Sequence, residues 1–125
     1  MSNDSVKPAK VTAEILAGAT FRRGWTRKVD GVEDDYTDCT AVVEIRDAST
    51  NDLLSTLSTD TGGISFTGGR LELYMSHTDT AALPHFDSAI GHIEVRRPWD
   101  DVERQYEVTF SYSPQRTEVD PPELP

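Results

Sequence analysis

Several groups of side chains in this sequence could do chemistry. The run Glu33-Asp34-Asp35-Tyr36-Thr37-Asp38 sets carboxylates close together, as a calcium loop does when it offers oxygens at alternating positions. It lacks the glycine and the closing glutamate of a helix-loop-helix calcium loop, so it reads as a solvated turn between strands. His77, His85 and His92 are spaced too widely to match the HxH, HxxxH or HExxH patterns that put two imidazoles on one metal. His92 is expected to face solvent from a strand. Trp99-Asp100-Asp101 has the parts of a sugar site, two carboxylates beside a stacking ring. The same PWDD also spells a turn, with an Asp initiating it and the Trp covering the end of a sheet. Cys39 has no second thiol to pair with and no neighbouring His, which predicts a passive, buried or half-buried residue. No GxSxG turn, Cys-His pairing or phosphate-binding glycine loop is present. No catalytic, cofactor-binding or metal-ligating residue is assigned, and no cofactor is expected.

The elements that would carry these groups read as strands. In GGISFTGGRLELYMS, Ile64 and Phe66 share one face, and Gly68-Gly69 supply the positive φ angles of a two-residue turn. Leu71, Leu73 and Met75 resume on one face of the return strand. Ala41, Val43 and Ile45 alternate with Val42, Glu44 and Arg46; Tyr106, Val108, Phe110 and Tyr112 alternate with Glu107, Thr109 and Ser111. Ile93 and Val95 mark a strand ending near Arg97, before Pro98 removes a backbone donor. Phe21, Trp25 and Val29 share a parity up to the Asp30-Gly31 turn, with Gly24 as a candidate bulge. Residues 53–57 make a short strand, and 11–19 an extended segment or a single turn closed by Gly18. One helical turn, capped at Ser76 or Thr78 and stopped by Pro84, fits between strands.

Seven or eight short strands with little helix predict an all-β fold, an antiparallel immunoglobulin-like β-sandwich with one short helical turn. Its expected span is residues 11–113. Residues 1–10 are expected to form a flexible N-terminal arm and 114–125 a flexible, proline-rich acidic tail, both too poor in apolar residues to order alone.

With 125 residues, the chain can bury a core without disulfides or metals. It carries 22 acidic against 12 basic residues, a formal net charge of −10, so its field repels a nucleic-acid backbone and no nucleic-acid partner is expected. The small basic groups Arg22-Arg23, Arg27-Lys28 and Arg96-Arg97 are expected to pair with carboxylates or meet an acidic partner. Mean hydropathy is −0.51 and no apolar run approaches the ~20 residues of a membrane span, so no membrane role is expected. The first ten residues lack a signal-like apolar stretch, which predicts a chain that stays in the cytosol where it is made.

The order of these motifs resembles a known group. ATFRRGWTRKVDGVEDDYTDCTAVVEIRD, followed by STLSTDTGGISFTGGRLELYMSHTDTAAL, is similar to the immunoglobulin-like tail and baseplate domains of tailed phages, including the N-terminal domains of baseplate upper proteins and small prophage tail or head-completion proteins. The likeness spans roughly residues 11–113. It departs from the group in the charged stretch FDSAIGHIEVRRPWDDVERQYEV, where a Gly-bearing strand pair is usual. The resemblance implies a non-enzymatic virion component, made in the host cytoplasm, in the tail or baseplate or at the head-tail junction. It would work through contacts with other virion structural proteins, as a symmetric homo-oligomer within the particle. Sheet edges or extended arms could supply those contacts. A carbohydrate-binding module is the alternative, with Trp25, Trp99, Tyr36 and Tyr74 as available aromatics and Tyr74 at the outward parity. An enzyme built on Asp100, Asp101 or the 33–38 cluster is a third reading that lacks a partnered base.

Overall fold

The computed structural model describes residues 7–114; residues 1–6 and 115–125, and with them most of the two expected tails, lie outside the described residues. In chain order the elements are β1 (Ala9–Leu16), β2 (Phe21–Thr26), β3 (Lys28–Val29), β4 (Val32–Glu33), β5 (Thr40–Asp47) and β6 (Leu53–Ser58). They continue with β7 (Ile64–Thr67), β8 (Arg70–Met75), α1 (His77–Ala82), β9 (Ser88–Arg96) and β10 (Val102–Ser113). β1 therefore begins two residues before the boundary expected at residue 11.

A five-stranded sheet runs β1-β10-β9-β5-β6 and faces a three-stranded sheet, β2-β8-β7, while β3 and β4 form a separate hairpin. One sheet with G-F-C-C′ order opposed to B-E-D is the strand arrangement of a variable-type immunoglobulin sandwich. β10, β9, β5 and β6 take the first set of places and β2, β8 and β7 the second. The fold is thus an immunoglobulin-like all-β sandwich. One pairing is not antiparallel: β1 lies parallel to β10, Ala9 opposite Tyr106 through Leu16 opposite Ser113. The chain leaves β1 and crosses to the other sheet, and this crossing lets its first strand run alongside its last.

Two-residue alternation builds the core. Ala41, Val43 and Ile45 of β5, Ile93 and Val95 of β9, and Val108 and Phe110 of β10 point inward, to meet Leu71, Leu73 and Met75 of β8 and Ile64 of β7. Burial of each large apolar side chain contributes about 1.5–3 kcal/mol. The chain's single cysteine precludes the inter-sheet disulfide of antibody domains. Apolar contact joins the layers instead, with the Phe21 and Phe110 rings 6.4 Å apart.

α1 forms where its caps allow it. The Ser76 hydroxyl accepts from Asp79 N–H, and the helix gives way at Leu83, just before Pro84. Its Thr80 is fully buried; the hydroxyl accepts from Gly18 N–H at 3.0 Å and lies 2.9 Å from the carbonyl of Ala19. The Tyr112 hydroxyl donates to the Thr80 carbonyl at 2.9 Å. These bonds pin the helix to the β1–β2 corner.

Three local expectations are corrected. β2 pairs with β8 without a break, so Gly24 is no bulge; a Cβ there would sit 2.8 Å from the Arg70 guanidinium and from the Leu71 carbonyl. In the β7–β8 turn only Gly68 has positive φ, 59°. Gly69 is small for another reason, since its Cβ would lie 2.7 Å from the Cβ of Glu33. Val29 does not continue β2: a type I′ turn at Asp30 and Gly31, φ 53° and 82°, folds β3 onto β4.

Candidate interaction site at the loop pole

Three connections meet at one end of the sandwich: residues 27–39 with the β3–β4 hairpin, the turn at Gly68-Gly69, and the turn of residues 97–101. Main-chain bonds weld the first two. Arg27 N–H donates to the Gly69 carbonyl at 2.9 Å, Asp34 N–H to the Arg27 carbonyl at 2.9 Å, and Gly69 N–H to Glu33 Oε1 at 3.1 Å.

A buried ion network ties in the third. Arg97 Nη2 donates to Asp34 Oδ2 at 2.8 Å and to Glu103 Oε1 at 3.0 Å, while Nη1 donates to the Asp35 carbonyl at 3.0 Å. Asp34 also accepts from Arg27 Nη1 at 2.7 Å. The side chains of Arg97 and Asp34 are only 6% and 9% exposed. A break in the β10 register at Gln105 turns two successive side chains, Gln105 and Tyr106, inward. Gln105 Nε2 donates to Glu103 at 2.8 Å, and Gln105 Oε1 accepts from the Tyr36 hydroxyl at 2.7 Å. The Tyr36 ring stacks on Phe66, 4.3 Å between centroids.

The electrostatics follow from this geometry. Burial works against the Asp34 carboxylate, but the bonds and charges of Arg97 and Arg27 outweigh it and hold its pKa below the ordinary value. Glu103 is lowered in the same way, against its burial, by Arg97 and Gln105. Burial also opposes the charge on Arg97, yet its bonds to Asp34 and Glu103 raise its pKa and keep it protonated. Burial pushes the Tyr36 hydroxyl up, so it stays a neutral donor. These groups are matched to one another, and the arrangement stiffens loops.

The 33–38 segment therefore departs from the solvated turn expected of it. Asp34 and Tyr36 are interior anchors, Glu33 braces the neighbouring turn from the surface, and Asp35, Thr37 and Asp38 are exposed as well. Asp35 accepts from the Thr37 hydroxyl at 2.6 Å and Thr37 N–H at 3.0 Å. Cys39 is buried beneath Arg97, its Sγ 3.7 Å from Nη1.

Trp99 also departs from expectation, for it does not cover the sheet end. Arg97 N–H donates to the Asp101 carbonyl and Asp100 N–H to the Arg97 carbonyl, with Asp100 left-handed at φ 74°. This tight three-residue loop holds the indole outward, 63% exposed. Its Nε1 donates to Asp101 Oδ2 at 3.0 Å, and one face lies over the Arg97 guanidinium, 5.7 Å from the ring centroid. Every Phe, Tyr and Trp falls among the described residues, and Trp99 alone is exposed. Tyr74 has Arg22 over its ring at 4.7 Å, Trp25 stacks on Tyr106 at 5.4 Å, and Tyr36 is core.

Asp100 and Asp101 serve separate partners, since Asp100 accepts from Arg96 Nη1 at 2.8 Å. The histidines are dispersed: His77 begins α1, His85 lies 3.6 Å from Asp87, and His92 lies 3.5 Å from Glu107 across the outer sheet face. Among the described residues no group of three or more His, Cys, Asp or Glu side chains is gathered for a metal ion. Sequence reasoning missed Arg97, Glu103 and Gln105 as one unit. The only local signal was the consecutive inward pair Gln105-Tyr106, which period-two reading cannot anticipate.

No family model matches the chain, and no curated protein matches it. Among solved structures it is similar to the ZIG-8–RIG-5 IG1–IG1 heterodimer in its monoclinic crystal form, at 12% identity over 89% of each chain with a TM-score of 0.40. The assignment of the sandwich rests on strand order.

Proposed function

We propose that the chain is a non-catalytic assembly module that meets its partner with the loop pole, in the setting its motif order resembles, a tailed-phage particle. The observation that carries this reading is Trp99, a ring held at fixed orientation on a pole stiffened from within by Arg97. Exposed, pre-oriented aromatic side chains are typical anchors of protein contacts, because little conformational freedom is lost when they are covered. The virion setting draws its support from the ordered motifs of residues 11–113, and contact with other virion proteins in symmetric copies belongs to the same reading. Particles assembled with and without the chain, compared by negative-stain microscopy and infectivity, test it. Incomplete or non-infectious particles are expected in its absence; complete, infectious ones overturn the proposal.

A carbohydrate-binding role is the second reading, favoured by the same bare indole face beside Asp100 and Asp101. A glycan array on the wild type and on Trp99→Ala separates the two, because Trp99-dependent glycan binding would replace assembly as the reading of the pole.

A further inference from the structure

Unpaired sheet edges invite other strands, and folded chains blunt them with charge, brevity or cover. Three of the edges here are blunted. β1 carries Lys10 and Glu14, and its Thr12 carbonyl accepts from Arg23 Nε at 3.2 Å, which closes that flank against β2. β2 itself carries Arg22 and Arg23. β7 has only four residues. β6, LLSTLS, has no charge, proline or glycine along six residues and ends the five-stranded sheet; a bulge at Leu54 interrupts its pairing with β5, and the stretch from Ser55 to Ser58 is in regular register.

The phase of its ladder shows which groups face outward. Thr59 N–H donates to the Ala41 carbonyl, so by strict alternation Leu57 and Ser55 address β5, while Thr56 and Ser58 turn their main chain away. The Ser58 carbonyl accepts from the Thr61 hydroxyl at 3.2 Å, as that phase requires. Among the described residues no hydrogen bond from outside the sheet reaches the main chain of Thr56. Leu53, 49% exposed, adds an apolar contact at the strand's start.

We infer that β6 is a docking edge for an extended segment of another polypeptide that carries a basic residue at each end of a neutral, β-prone stretch. The charges select this occupant over a second copy. Exposed Asp52 and Asp60 bracket the strand, and two β6 strands paired antiparallel about Thr56 would bring the Asp52 end of each copy toward the Asp60 end of the other. Like charges brought together across a strand pair disfavour it, and each copy carries a net −10. A Lys or Arg at those two places turns both contacts favourable, while the neutral middle is recognised through the main chain. This edge is separate from the Trp99 pole and stands on its own observations.

The test titrates full-length 15N-labelled chain with the peptide acetyl-KTVTVTVTK-amide and with its counterpart acetyl-ETVTVTVTE-amide. The Lys peptide is expected to shift the Thr56 and Ser58 amides and slow their hydrogen exchange, and to bind at least about tenfold more tightly than the Glu peptide. Thr56→Pro removes an outward donor without touching the ladder to β5, and is expected to abolish binding. The double variant Asp52→Lys with Asp60→Lys, which keeps every backbone donor and reverses the two end charges, serves should the proline variant fail to fold, and is expected to reverse the preference in favour of the Glu peptide. Equal binding of both peptides, shifts confined to another surface, no binding at all, or a β6-dependent dimer in sedimentation would each overturn the inference.

Discussion

The Tyr36 hydroxyl donates to Gln105 Oε1 at 2.7 Å across 69 residues of chain, linking the long loop after β2 to the bulge of β10. Gln105 is buried, so Tyr36→Phe strands its carbonyl oxygen. The expected loss is about 1–3 kcal/mol of unfolding free energy, read from urea denaturation. No loss would mean that this bond is dispensable to the pole.

Asp34 and Glu103 tie stability to pH. Their folded-state pKa values lie below the ordinary ones, which are about 3.9 for Asp and 4.3 for Glu. Their contribution is therefore complete above those values and disappears as pH falls through the lowered folded ones. Wild type should lose this part of its stability only below about pH 4. Asp34→Asn should be less stable at pH 7 by about 3–5 kcal/mol, because Arg97 and Arg27 lose a buried partner, and should show a flatter dependence in acid. A parallel pair of curves would refute the assignment.

Trp99→Ala tests the other side of the pole. The ring covers little, so stability should change by no more than about 0.5 kcal/mol, while association through the pole is lost. Tryptophan emission should shift to the blue, since the half-buried Trp25 remains. A large fall in Tm would show instead that the indole is structural.

Gly31 and Gly69 predict unequal outcomes for one substitution. Gly31 has open space but φ +82°, so Gly31→Ala costs about 1–2 kcal/mol of left-handed strain. Gly69→Ala drives a methyl group into Glu33 of β4 and should cost about 1–3 kcal/mol, together with the bond from Gly69 N–H to Glu33. Thermal unfolding, with the Gly69 amide shift followed by NMR, distinguishes them; an unmoved amide in Gly69→Ala argues against the close approach.

Thr80→Val removes the hydroxyl that accepts from Gly18 N–H and leaves that corner unsatisfied. A loss of about 1–3 kcal/mol is expected by denaturation, with Gly18 losing hydrogen-exchange protection.

Local pattern was sufficient for the strand at 40–47, the hairpin at 64–75, the alternation of residues 106–112, a helical turn capped at Ser76 or Thr78, of which the structure uses Ser76, and the Asp30-Gly31 turn, because each depends on neighbours within a few residues. It also sufficed for an all-β sandwich. It was insufficient for the parallel partnership of β1 and β10 and for the pole. Arg96 and Arg97 are the same residue type side by side, yet one is exposed beside Asp100 and the other lies buried on Asp34, 63 residues away. Alternation fixes side-chain parity along a strand, but the charge of a side chain does not reveal whether a partner will be waiting inside. Only the folding of distant segments into one end of the sandwich brought Asp34, Gln105 and Arg97 together, and the same closure left Trp99 and the edge of β6 facing outward.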